Sequence, residues 1–229
     1  MNVLFRSAAL ALTLLSAPAL AIGLADLSNK DAVAGMKEAL IKGSQAAVAM
    51  LAKQDGFLGN ERVRIPLPES LHKVEGVMRG LGMRKYADEL VTTMNRAAES
   101  AVVEAKPLLV NAVKNMSVQD AKGILSGGQD AATQYFKRST SAGLTEKFLP
   151  IVRKATQKVK LAEKYNEFAG KGAKFGLIDQ KDADLNSYVT RKALDGLFLM
   201  IADEEKKIRQ DPVGAASGII SKVFGAIGK

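Results

Sequence analysis

The sequence predicts an all-α protein, with one domain of about eight to nine helices over residues 22–229 and a single short extended segment. Three observations favour this fold. Apolar residues recur with the 3.6-residue period of a helix along most of the chain. Residues that cap helices precede several of these stretches. No repeat with a period of about 20–50 residues occurs, and no strands alternate with helices.

The first predicted helix begins after Ser28 and ends near Lys53. Ser28 and Asp31 have the arrangement of a capping box, in which the hydroxyl accepts hydrogen bonds from free amides of the first turn. An extended segment is expected at 62–68, where polar and apolar residues alternate and two prolines remove backbone donors. We call residues 62–68 the strap. The apolar stripe of the first helix comprises Val33, Met36, Leu40, Ala47 and Leu51.

Proline, glycine and capping residues divide the remaining helices. Pro107 should kink or divide a long helical pattern over 86–116, because proline removes a backbone hydrogen bond. Ser117 and Asp120 form a second capping box. The helix over 185–209 is expected at the centre of the domain, since its middle is apolar on every side. Further helices are expected over 69–80, 118–125, 130–137, 144–159 and 161–174, with a last one after Pro212.

The first 21 residues have the features of a cleavable secretory signal peptide. Arg6 supplies a positive charge, residues 8–15 are apolar except for Thr13, and Ala19–Ala21 supplies small residues at a cleavage site. The apolar stretch is shorter than the roughly 20 residues that span a bilayer. We therefore expect export to the periplasm and a mature chain that begins near Ile22, with no transmembrane span.

The composition excludes several kinds of site and indicates a basic surface. The chain has no Cys, no Trp and one His, His72, which excludes thiolate chemistry, sulfur-ligated metals and any site with two imidazoles. No recognisable nucleophile motif accompanies His72, so we expect neither enzyme activity nor a cofactor. The formal charge is +9, or +8 without Arg6. In the envelope this charge favours anionic lipids or polymers as partners over nucleic acid.

Two motif-like segments have ordinary structural interpretations. Residues 125–129, LSGGQ, spell the signature of ATP-binding-cassette ATPases, but no Gly-rich phosphate-binding loop accompanies them. We interpret them as a glycine break before a helix, and the alternative is an anion site on the free amides of that helix. Asp182, Asp184 and Asn186 resemble the start of a calcium loop that lacks its glycine and glutamate. A helix cap at Asp182 or Asp184 is the preferred interpretation.

A polar groove is the candidate site within the long helical pattern. Asn95 and Glu99 are four residues apart and Arg96 and Glu99 are three apart, so they share a helix face, and Asp88 completes the set. The favoured alternative is a salt-bridged helix face. Surface ion pairs are also expected between the acids Asp203, Glu204 and Glu205 and the bases Lys206, Lys207 and Arg209.

The C-terminal segment from Pro212 to Lys229 is the candidate interaction element. It contains no acid, and its apolar residues fall on one side of a helix, as in helices that lie on anionic membranes. The preferred alternative is a last core helix, because the polar side is mostly Gly, Ala and Ser. The candidate interaction residues are Ile219, Ile220, Lys222, Val223, Phe224 and Ile227.

Several segments resemble a family of uncharacterised exported proteins of proteobacteria, grouped as a domain of unknown function. The resemblance covers roughly residues 27–224 and implies a helical, exported protein. It implies no activity, ligand or catalytic residue. The segments that carry it are residues 55–58, 63–68, 93–99, 130–136 and 192–201.

Three function classes follow from these observations, and the least favoured is a hydrolase of unfamiliar type, which would need His72 or paired carboxylates to converge in a cleft. The first is a non-catalytic periplasmic protein that binds an amphipathic or anionic envelope partner, such as a lipid or the membrane surface. Export, the basic charge and the acid-free C-terminal segment favour it. The alternative is a periplasmic protein-interaction or assembly factor that docks through residues 63–68 or through the C-terminal segment. A helical fold alone does not decide between them.

Overall fold

The computed structural model describes residues 29–71, 84–174, 179 and 182–211. No strand occurs within these ranges, so the predicted all-α class is confirmed. The helices are α1 (Asn29–Ala52), α2 (Arg84–Val102), α3 (Ala105–Lys114), α4 (Val118–Ser126), α5 (Ala131–Thr156), α6 (Lys160–Lys174) and α7 (Leu185–Gln210).

The two longest helices, α5 and α7, form the most extensive helix pair of the described fold. Helix α2 packs on α5, and α1 packs on both α7 and α3. Every helix contributes to one cluster of buried apolar side chains, and each large side chain in it contributes about 1.5–3 kcal/mol on burial. The largest fully buried side chains include Phe57, Phe136, Phe148, Met36, Leu51 and Ile65.

The predicted apolar stripe of α1 and the predicted capping box of α4 are confirmed. Four residues of the α1 stripe are buried, and Val33 is partly buried. At the start of α4, the backbone N–H of Asp120 donates to Ser117 Oγ, and the backbone N–H of Ser117 donates to Asp120 Oδ2, both at 3.1 Å. Hydrogen bonds from Ser117 lower the pKa of Asp120. The capping box therefore forms as the sequence indicates.

Pro107 divides the long helical pattern, as predicted. Helix α2 ends at Val102 and α3 begins at Ala105, with a turn at residues 103 and 104. Pro107 then lies at the third position of α3. Amides of a first helical turn have no partner within the helix, so the missing N–H of proline costs nothing there.

Helix α5 is continuous, so the break predicted after residue 137 is wrong. Hydroxyl groups in the intervening stretch donate to carbonyl oxygens one turn earlier, including Thr140 Oγ1 to Phe136 O at 2.7 Å and Ser141 Oγ to Lys137 O at 2.6 Å. Thr140 and Leu144 are buried in the core. Burial of this face therefore outweighs the weak helix preference of Ser, Thr and Gly.

Helix α7 is central, as predicted, although its middle is not enclosed on every side. Phe198 and Ile201 are buried, but Leu199 is 38% exposed. Gly196 allows the chain before α2 to approach closely. A Cβ atom at this position would lie 2.8 Å from Phe57 Cε1 and 3.2 Å from Val63 Cβ.

Residues 62 and 63 of the strap lie in a turn, and residues 64–68 are neither helical nor paired with a strand in the described part of the chain. Its side chains alternate as predicted, because Val63, Ile65 and Leu67 are buried while Arg64 and Pro66 are exposed. The side chains of Val63, Ile65 and Leu67 therefore face the core of this protein. Docking of a partner at the strap stays a prediction, and its exposed residues Arg62, Arg64 and Pro66 are the ones available for it.

Several predictions fall on residues that the structure does not describe. They concern the signal peptide at residues 1–21, the first residue of the capping box at Ser28, the single histidine His72 and the C-terminal segment Pro212–Lys229. Over the described ranges, no helix is both long enough and apolar enough to span a membrane.

Candidate functional site

Asn95 holds the strap onto α2. Its side-chain Oδ1 accepts a hydrogen bond from Ile65 N at 2.8 Å, and its Nδ2 donates to Ile65 O at 2.9 Å. The same nitrogen donates to Val91 O at 2.8 Å within the helix. Asn95 is fully buried. An amide side chain thus replaces the neighbouring strand that the extended backbone would otherwise need.

Glu99 fixes the turn that precedes the strap. Its Oε1 accepts hydrogen bonds from the backbone N–H groups of Phe57 and Leu58 at 3.1 and 3.2 Å. Arg96 donates to Glu99 Oε2 at 2.7 Å and to Asp55 Oδ1 at 2.8 Å. These two acids raise the pKa of Arg96, with Glu99 contributing more.

The four residues of the predicted polar groove therefore divide into two groups. Asn95, Arg96 and Glu99 lie together and hold residues 55–65, whereas Asp88 lies near the exposed start of α2, where it pairs with Arg84 at 3.7 Å. The polar atoms of Asn95 and Glu99 are occupied by backbone groups and by the Arg96 side chain of this same chain. This arrangement stabilises the fold and presents no open groove at these two residues.

Glu205 is a second buried acid, and it caps α5 from α7. Its Oε1 accepts a hydrogen bond from Ala132 N at 3.0 Å, and its Oε2 accepts from Thr133 N and Thr133 Oγ1, both at 2.9 Å. Arg209 donates to Glu205 Oε1 at 2.8 Å and to Ile124 O at 3.0 Å. A carboxylate is favourable at a helix N-terminus. Glu205 thus pairs with Arg209, but the pair is buried and not at the surface as predicted, while Glu204 pairs with Lys207 at 2.6 Å.

The LSGGQ segment is the break between α4 and α5, as interpreted from the sequence. Helix α4 ends at Ser126, and α5 begins at Ala131. The alternative interpretation, an anion site on the first amides of α5, is wrong. The carboxylate of Glu205 already accepts hydrogen bonds from Ala132 N and Thr133 N. These amides are not free for a ligand.

The calcium-like motif caps α7. Asp184 is the N-cap residue, and its Oδ1 accepts from Ser187 N at 2.7 Å. The carboxylate of Asp182 accepts from Arg191 Nη2 at 2.6 Å. Within the described residues, no group of three His, Cys, Asp or Glu side chains is placed to hold a metal ion. Asp184 therefore confirms the preferred interpretation of this motif.

A basic cleft lies where α1, α3 and α5 meet. It has a volume of about 730 Å³ and is lined on its basic side by Lys106, Lys114 and Lys147. Lys37 is close by, since its Nζ donates to Lys114 O at 3.1 Å. We call this site the lysine cleft. Its other lining residues are Gln45, Glu104, Pro107, Leu108, Val110 and Asn111.

The lysine cleft combines uncompensated charge with apolar walls. Lys106, Lys114 and Lys147 are exposed, and in the part of the chain that the structure describes none of them forms an ion pair with an acid. Leu108 and Val110 are half-buried on the same cleft. Ligand sites commonly have volumes of about 300–1,000 Å³. The cleft thus has the size, charge and apolar surface to receive an anionic amphiphile.

Sequence reasoning missed both the lysine cleft and the cap by Glu205. The cleft joins Lys147 to Lys114 and Lys106, which lie 33 and 41 residues earlier in the chain, and only the packing of α3 against α5 brings them together. A signal for Glu205 was present, since it lies four residues after Ile201 on the buried face of a helix. An acid at such a position needs a buried partner.

Comparison with known proteins places the chain in a family. The family model described as "Protein of unknown function (DUF4197)" matches residues 26–225. The chain belongs to this DUF4197 family. This agrees with the resemblance seen in the sequence. No curated protein and no solved structure shows significant similarity to the chain.

Proposed function

We propose that this DUF4197 protein is a non-catalytic periplasmic protein that binds an anionic amphiphilic partner, a lipid or the membrane surface, through the lysine cleft. The observation that carries the proposal is the convergence of Lys106, Lys114 and Lys147 on one cleft with half-buried apolar walls. The predicted signal peptide supports the location, since phospholipids and lipopolysaccharide are the abundant anions beyond the inner membrane.

The charge of the cleft favours an anion over a neutral lipid. Three lysines line it against one acid, Glu104, and Lys37 adds a fourth positive charge at its edge. A lysine close to an anionic membrane surface contributes about 1 kcal/mol of binding free energy. The lysines alone therefore supply about 3 kcal/mol of salt-sensitive affinity, which is enough for weak, reversible association.

The walls of the cleft favour an amphiphile over a simple anion. Pro107, Leu108 and Val110 come from one side of α3, beside the lysines. An acyl chain or the glycerol backbone of a lipid gains free energy by covering this apolar surface. A free phosphate has no group that would do so.

The alternative function, an envelope protein-interaction or assembly factor, is favoured by exposed apolar side chains. Val103 and Val118 are each 52% exposed, and Tyr86 is 51% exposed. Val103 precedes the cleft residue Glu104, so an apolar partner could also bind at this end of α3. The C-terminal residues 219–227 remain a predicted second contact for either function.

Co-sedimentation with vesicles tests the proposed function. The purified protein is mixed with vesicles of phosphatidylglycerol and phosphatidylethanolamine, or of phosphatidylcholine alone, across a salt series. We expect binding to the anionic vesicles that weakens as salt rises, because salt screens exposed charges. Absence of binding at low salt would contradict the function and direct attention to protein partners.

A deletion of residues 212–229 separates the two predicted contacts. Binding that persists in the deleted chain assigns the contact to the lysine cleft. Binding lost in a deleted chain that retains its helical circular dichroism assigns it to the C-terminal segment and contradicts the cleft as the principal site.

A further inference from the structure

A second pocket lies between the last turn of α5, the first turn of α6 and the start of α7. It has a volume of about 550 Å³, within the range of about 300–1,000 Å³ for small-molecule sites. Among the described residues that line it, Ala162 is the one apolar residue. The polar lining residues are Arg153, Thr156, Gln157, Glu163, Asn166, Asp184 and Asn186.

The floor of this corner pocket is rigid. Thr156 and Asn186 are buried, and the Thr156 hydroxyl donates to Asn186 Oδ1. Asn166 Oδ1 accepts from Leu185 N at 2.8 Å, which ties α6 to the start of α7. A polar floor whose side chains are already held in place loses little conformational entropy when a ligand binds.

The charged groups on the pocket differ in how far they are already satisfied. Asp184 accepts from Ser187 N at 2.7 Å and from Asn186 Nδ2 at 3.3 Å. Arg153 and Glu163, by contrast, form no ion pair with any residue that the structure describes. Their positions suit the dipoles of α5 and α6, but each keeps a full charge exposed at the same pocket.

We propose that this corner pocket binds a small zwitterion, with Arg153 receiving the carboxylate and Glu163 the ammonium group. A guanidinium binds a carboxylate with two parallel hydrogen bonds, and a carboxylate accepts from an ammonium group. An unpaired cation and an unpaired anion on one pocket complement a ligand that carries both charges. A free amino acid or a short peptide has this chemistry. The inference is independent of the lysine cleft.

Isothermal titration calorimetry tests the proposal. The purified protein is titrated with L-alanine, dialanine and trialanine, which keep both charges at increasing separation. We expect at least one of them to bind with a dissociation constant of about 1 mM or tighter. No saturable binding by any of the three below about 10 mM would overturn the proposal.

Single substitutions assign the two charges. Arg153→Gln and Glu163→Gln should each weaken binding by at least about tenfold, which equals about 1.4 kcal/mol. The controls Lys154→Gln and Glu146→Gln remove the same charges from exposed positions that do not line the pocket, and they should bind as the unsubstituted protein does. A loss in only one of the two pocket variants, or in neither, would contradict recognition of a zwitterion.

Ligands that lack one charge test the roles of Arg153 and Glu163 without altering the protein. N-acetyl-dialanine has no ammonium group, and dialanine amide has no carboxylate. Each should bind at least about tenfold more weakly than dialanine if dialanine is a ligand. Equal binding of all three compounds would overturn the assignment of the two charges.

Discussion

The charged groups of Glu99 and Glu205 are buried and paired within the chain, whereas those of the lysine cleft are exposed and unpaired among the described residues. The side chain of Glu205 is 5% exposed, and its oxygens accept from two backbone amides, a hydroxyl and a guanidinium. Glu99 is satisfied in the same manner by backbone amides and Arg96. The lysines of the cleft are exposed and have no acidic partner among the described residues.

The difference separates residues that build the fold from residues that are available to a ligand. A buried charge whose partners all belong to the same chain has no capacity left for another molecule. An exposed, uncompensated charge contributes little to stability but attracts an opposite charge from solution. Substitution of a buried charge should therefore lower stability, and substitution of a cleft lysine should weaken binding.

The largest expected effect is the loss of stability on Glu205→Ala. The substitution leaves Arg209 without its buried partner and the amides of Ala132 and Thr133 without an acceptor. Removal of one partner of a buried ion pair costs about 3–5 kcal/mol of unfolding free energy. Urea denaturation of the variant and of the unsubstituted protein measures this loss of unfolding free energy. The neighbouring control Glu204→Ala breaks an ion pair to an exposed lysine and should cost at most about 1 kcal/mol.

A smaller loss is expected for Asn95→Ala. This change leaves the N–H and the carbonyl of Ile65 without a partner inside the fold. A buried group without a hydrogen-bond partner costs about 1–3 kcal/mol of unfolding free energy. Ser100→Ala, on the exposed side of the same helix, should change the unfolding free energy by less than about 0.5 kcal/mol. If both variants unfold at the same urea concentration, Asn95 does not hold the strap.

Tyr188 gives a pH dependence with a defined sign. Burial, and to a lesser extent Asp182, raises the pKa of Tyr188 to about 12, and its hydroxyl donates to Pro66 O in the strap. Tyrosine in an unfolded chain titrates near pH 10. Its contribution to stability is therefore complete below about pH 10 and is lost between about pH 10 and 12.

The comparison with Tyr188→Phe isolates this contribution. The unfolding free energy of the unsubstituted protein should fall relative to that of the variant as pH rises above about 10. Urea titrations of both proteins at pH values from about 8 to 11 give this difference. A difference that stays constant with pH would show that Tyr188 ionises equally easily in the folded and unfolded chain.

The sequence predicts the helices well where local chemistry determines them, and poorly where packing does. The Ser117–Asp120 capping box and the division at Pro107 depend on residues within one turn of the chain, and both are found as predicted. The break predicted within α5 is absent because buried Thr140 and Leu144 hold that stretch in the helix. Local preference carries no information about that burial.

The candidate site was less accessible to sequence reasoning than the fold. Asn95, Arg96 and Glu99 could be placed on one helix face from their spacing, but their partners at residues 55–65 follow only from the tertiary structure. The lysine cleft likewise depends on the packing of three helices. Spacing predicts which side chains share a face and not what lies opposite them.

The central claim is that uncompensated lysines of one cleft, and not the overall positive charge, bind an anionic surface. The variant Lys106→Gln, Lys114→Gln and Lys147→Gln removes three charges from the cleft. The matched control Lys122→Gln, Lys158→Gln and Lys206→Gln removes three charges from exposed positions elsewhere. The unfolding free energy of each variant should differ from that of the unsubstituted protein by less than about 0.5 kcal/mol per substitution, because all six side chains are exposed.

Co-sedimentation of these two variants with anionic vesicles at fixed low salt is the most direct test. At about 1 kcal/mol for each of the three lysines, the cleft variant should bind about 150-fold more weakly than the unsubstituted protein, and the control should change less than about threefold. Equal weakening of the two variants would mean that binding follows net charge, and it would contradict the lysine cleft as the binding site.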